Sequence, residues 1–125
     1  MRRFYPASLV KIAAQQITEM KHTSEKCGAR FSLFVLPFPN EGYYGHDGLK
    51  EPRTEALIKA LAGSDVAIVD LRKEVKPGTK LWLDGDFHYN LKAATWVAEI
   101  MKRHLEDTWS KRLSNDAPQP GNIVK

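Results

Sequence analysis

The residues best equipped for chemistry lie in one short stretch, Asp84-Gly85-Asp86-Phe87-His88-Tyr89-Asn90. A carboxylate two residues before a histidine can turn to the same side and accept the Nδ1 proton. That fixes the tautomer and leaves Nε2 free to take a proton from a nucleophile. Asp86 stands at this spacing from His88. Asp84 is one alternation further away and beyond flexible Gly85, so it is expected to bind loop amides or water instead. The same turn also reads as a surface loop whose acids cap the helix behind it. Asp84, Asp86 and His88 alternate as metal ligands can, yet no second histidine motif completes a set, and His22, His46 and His104 are isolated. The single cysteine, Cys27, excludes an internal disulfide and any multi-cysteine metal site. It falls at a helix C-terminus, where the dipole disfavours a thiolate.

The flanking elements follow from apolar spacing. Val10, Ala13, Ile17 and Met20 recur at steps of three and four, predicting a helix from Ala7 to about Lys26 that Gly28 ends. Phe31 to Leu36 is almost continuously apolar and stops at Pro37, as a strand buried on both faces does. Residues 37–50 form a long loop rich in Pro, Gly, Asn and Tyr, in which Tyr43 and Tyr44 are candidates to border a substrate cleft. A second helix is predicted over 52–62, with Pro52 in its first turn and Leu57, Ile58 and Leu61 inward. Gly63-Ser64 turns the chain into a second buried strand, Val66 to Leu71, and Asp70 at its end is read as structural. The last helix starts near Asn90, a good N-cap, with Ala94, Val97, Met101 and Leu105 inward. Residues 114–125 are read as a disordered tail.

Helix, strand, helix, strand, helix is an α/β pattern. The chain of 125 residues, 42% hydrophobic and 27% charged, is the size of one domain and too apolar for wholesale disorder. No apolar run approaches the ~20 residues a bilayer span needs. Met1-Arg2-Arg3 has the charge of a signal peptide, but Pro6, Lys11, Gln15 and Gln16 interrupt any apolar core. The segment is therefore read as folded sequence, or as a start inside a longer one. The net charge of +4 is scattered among acids, without the continuous basic stripe that nucleic acid would need. Two parallel strands make a thin sheet, and both read as buried. The expectation is part of a wider sheet, completed by a missing N-terminal half, a partner chain or self-association.

From Val66 to Met101 the sequence resembles the C-terminal block of SGNH/GDSL-type ester hydrolases and their O-acetyltransferase relatives. Ile68-Val69-Asp70-Leu71 is similar to a strand of that family that ends in a Val-Asp-Leu-like sequence ahead of a loop. Asp86-Phe87-His88 resembles its Asp-x-His motif, and Tyr89-Asn90 the opening of its closing helix. Val35-Leu36-Pro37 looks like the preceding strand, and the likeness spans roughly residues 8–107. It implies a three-layer, flavodoxin-like α/β fold, present as a C-terminal portion. It further implies His88 as general base, Asp86 as its orienting acid, an ester or acylated carbohydrate as substrate, and no cofactor. In the commoner Asp-x-x-His form the acid would fall on Gly85, which cannot serve. Ala93 stands where the family often has glycine.

The family's Gly-Asp-Ser nucleophile block and oxyanion-hole residues have no counterpart in the chain. Gly63-Ser64-Asp65 has the letters in another order and reads as a turn. Ser8, Ser24, Ser32, Ser110 and Ser114 lack the motif. A base without nucleophile or oxyanion donors forfeits most of the rate enhancement, so the chain alone is expected to be inactive. The alternative expectation is a non-catalytic α/β interaction module that pairs through an exposed sheet edge.

Overall fold

The computed structural model describes residues 6–37, 52–76, 79–83 and 88–116. It divides into two compact units, residues 1–79 and 80–125. Among the described residues the protein is mixed α/β, mostly helical, with a small two-stranded parallel sheet. No helix among the described residues is long and apolar enough to cross a membrane.

The first unit opens with α1, Ala7–Lys26. Its C-cap is Cys27, and Gly28 follows at φ 75°. The Gly28 N–H donates to the Glu25 carbonyl and the Ala29 N–H to the Ser24 carbonyl, both at 3.0 Å. These are the two bonds of a Schellman stop, which needs the left-handed residue that glycine supplies cheaply. Strand β1 is Ser32–Val35, followed by α2, Pro52–Leu61, and strand β2, Ala67–Asp70. Pro52 takes the first helical position, where a missing N–H costs nothing. β1 and β2 pair in parallel, from Ser32 opposite Ala67 to Val35 opposite Asp70. A parallel pair requires a crossover, and α2 lies within it. Helix α1 packs on α2, and β1 touches a 3-10 turn at Leu71–Glu74.

Burial corrects several expectations. Neither strand is buried: all four β1 residues are half-buried, and in β2 Ala67 is exposed and the rest half-buried. Fully buried apolar side chains lie outside the strands, at Leu61 in α2 and Leu71 just after β2. Both strands are also shorter than their apolar runs. Leu71 leaves β2 for the 3-10 turn, because Asp70 accepts the Arg72 N–H and starts it. In α1, Ala14 is buried and Val10, Ala13 and Ile17 are half-buried, whereas Met20 is 57% exposed.

The second unit contains a short antiparallel bridge, Trp82 to Tyr89, and helix α3, Leu91–Asp116. The helix therefore includes Ser114 to Asp116, and residues 117–125 lie outside the described residues. The buried side of α3 carries Ala93, Val97 and Ile100, while Ala94 is exposed and Leu105 is 57% exposed. Of the expected stripe, Val97 is buried and Met101 half-buried, whereas Ala94 and Leu105 face out, so the buried face is displaced around the helix toward Ala93 and Ile100. Ala93, Ala94, Trp96, Val97, Ala98, Ile100 and Met101 are all apolar, so spacing alone supports more than one face.

Candidate active site

His88 is exposed and lies three residues before α3. A small ladder holds it. The Leu83 N–H donates to the His88 carbonyl at 3.0 Å, and the Asn90 N–H donates to the Leu81 carbonyl at 2.9 Å. These bonds flank Trp82 and Tyr89, which makes them a non-hydrogen-bonded antiparallel pair, the kind whose side chains approach closest. Their rings stack with centroids 6.4 Å apart and planes 18° apart. Both are half-buried, and burial holds the Tyr89 phenol above its ordinary pKa. The Trp82 Nε1 is buried without an acceptor. Alternation assigns Leu83 and His88 to the other face, and both are exposed. The ring pair thus fixes the register on one side, and the histidine is presented on the other.

Asn90 joins the ladder to α3. Its Oδ1 accepts the Ala93 N–H at 2.8 Å as the N-cap, the role the sequence assigns it. Asp84 and Asp86 lie outside the described residues, as do Tyr43 and Tyr44. Of the named candidates, His88 alone is among the described residues.

The carboxyl end of the sheet, in the first unit, holds a charged cluster that spacing did not reveal. Arg72 is buried, with a side chain 4% exposed. Its Nε and Nη2 donate to Asp70 Oδ1 and Oδ2, both at 2.8 Å, and Nη2 also meets Glu55 Oε1 at 2.8 Å. The hydrogen bond from Arg72 holds the Asp70 carboxyl below the usual carboxylate range, although burial opposes it. Asp70 is therefore committed to structure, as expected, through the Arg72 guanidinium and the Arg72 backbone N–H. Arg72 Nη1 is buried with no acceptor.

Ser64 occupies a turn, with its hydroxyl donating to the Leu61 carbonyl at 2.7 Å, and Asp65 follows at φ 62°. Ser8, Ser24, Ser110 and Ser114 are helical, and Ser32 is in β1. Among the described residues, no group of three or more His, Cys, Asp or Glu is placed to hold a metal ion. The chain matches no family model, no curated protein and no solved structure.

Proposed function

We propose that the chain is the histidine-bearing portion of an SGNH/GDSL-like ester hydrolase or O-acyl transferase acting on an ester or acylated carbohydrate. The observation that carries this reading is the placement of His88: solvent-facing, on a braced ladder, directly ahead of a capped helix. A base needs that combination of access and fixed orientation. In the completed domain, a three-layer flavodoxin-like sheet, His88 takes the proton of a serine as the serine attacks the ester carbonyl. It then protonates the leaving alcohol, and afterwards activates water or an acceptor hydroxyl to release the acyl group. Asp86 orients the imidazole, and Tyr43 and Tyr44 border the substrate. The serine and oxyanion donors come from sequence outside residues 1–125, in the same reading frame or on a partner chain.

The test is p-nitrophenyl acetate hydrolysis by the chain alone and by the chain translated with the coding sequence upstream of Met1. The chain alone should not exceed the imidazole background. The extended protein should turn over and lose at least about a thousandfold in His88→Ala. Turnover indifferent to His88→Ala refutes the proposal.

A second reading draws on the sheet. Parallel sheets are ordinarily covered on both faces, yet no residue of β1 or β2 is buried. Completion by further chain fits either reading. In a non-catalytic interaction module the completing chain is an unrelated partner or a second copy, and the extended protein stays inactive.

A further inference from the structure

We infer that Asn90 is a positioning residue for His88, holding the strand opposite the histidine as well as capping α3. The functional part of this inference rests on the reading of His88 as the base. All of Asn90's polar groups are engaged. Its backbone N–H donates to the Leu81 carbonyl and its backbone carbonyl accepts the Ala94 N–H, both at 2.9 Å. Its side-chain oxygen accepts the Ala93 N–H at 2.8 Å, and Nδ2 donates to the Lys80 carbonyl at 2.9 Å.

Capping alone does not account for asparagine at this position. Asp and Ser cap helices about as well, because the cap needs only an acceptor. Among the good caps, only asparagine couples that acceptor to a donor on the same rigid amide. The side-chain amide therefore ties Lys80 to the first turn of α3, beside the backbone bond that holds Leu81. Segment 80–83 is the rail that donates the Leu83-to-His88 bond and carries Trp82 into its stack on Tyr89. With the helix start and the rail clamped at one residue, His88 two positions earlier has a fixed backbone course. Release of the Nδ2 bond frees the Lys80 end of the rail and loosens its pairing, while leaving the cap and the backbone bond to Leu81 in place.

Asn90→Ser and Asn90→Asp both retain an acceptor for the Ala93 N–H and lack the Nδ2–H donor. The experiment measures amide hydrogen exchange together with ¹⁵N spectra of the histidine rings, on the full chain. Leu83 N–H should exchange about three- to tenfold faster in both variants, the range of one net hydrogen bond. The His88 ring signals should move, while the Val97 and Met101 amides in α3 keep their protection. His88 signals unmoved in both variants overturn the assignment, whatever Leu83 does. So does a parallel loss of protection at Val97 and Met101, which would make Asn90 a helix cap only. If the ring signals move but the extended protein's esterase activity survives His88→Ala, the positioning role stands and the catalytic reading falls.

Discussion

Arg72→Met should destabilise the fold by about 3 kcal/mol, and the loss should depend on pH. The guanidinium is almost wholly buried, and its partner Asp70 keeps only 10% of its side chain exposed. Removing the cation leaves that carboxylate buried without its two side-chain donors, a change that typically costs about 3–5 kcal/mol. Glu55 is 57% exposed, so its contribution is at most about 1 kcal/mol. The buried Nη1 without an acceptor already burdens the wild type, which favours the lower end of the range. For a chain of this length, about 3 kcal/mol corresponds to a melting point lower by roughly 10–15 °C. Circular dichroism melts over a pH series are the assay. Arg72 lowers the Asp70 pKa in the folded state. A depressed folded pKa stabilises the fold fully above the unfolded value, near 4, and the effect is lost as pH falls through the folded value. The gap between wild type and Arg72→Met should therefore be full at pH 6–7 and shrink below about pH 4. An unchanged melting point at pH 7, or a gap that persists undiminished into acid, would mean that the Asp70 carboxylate does not depend on the Arg72 guanidinium.

Leu71→Ala removes a side chain with no exposed surface and should cost about 2–5 kcal/mol in urea unfolding at pH 7. A cost below 1 kcal/mol would show that the site collapses around the smaller residue. Asp65 holds φ 62°, so Asp65→Gly should raise the melting point by about 1–3 °C, and β-branched Asp65→Val should lower it. Equal melting points for the two variants would contradict a left-handed backbone there.

Most elements of the fold were legible in the sequence because their ends carry local chemistry. The Gly28 stop, Pro52 in the first turn of α2 and the Asn90 cap act within a few residues of themselves. Burial was less legible. Apolar runs in β1 and β2 suggested strands covered on both faces, but coverage depends on what packs there, which a run of hydrophobic letters does not encode. On α3, apolar residues on nearly every side left the buried face to tertiary contacts. Arg72 escaped notice because a charged residue two places after a strand-end aspartate is ordinarily solvated. Only the fold brings Glu55 from α2 to the same guanidinium. The helix that follows His88 was readable from its Asn90 cap, whereas the Trp82–Tyr89 stack needed the strand pairing to appear.

The proposed pairing of Asp86 with His88 is read most directly at the histidine ring proton. In ¹⁵N-histidine-labelled protein at neutral pH, His88 should show an Nδ1–H resonance in slow exchange, held by a carboxylate. Asp86→Asn should abolish or shift that resonance, and Asp84→Asn should leave it in place. Loss of the resonance in Asp84→Asn alone, or no protected Nδ1–H in the wild type, would mean that Asp86 does not hold the His88 ring.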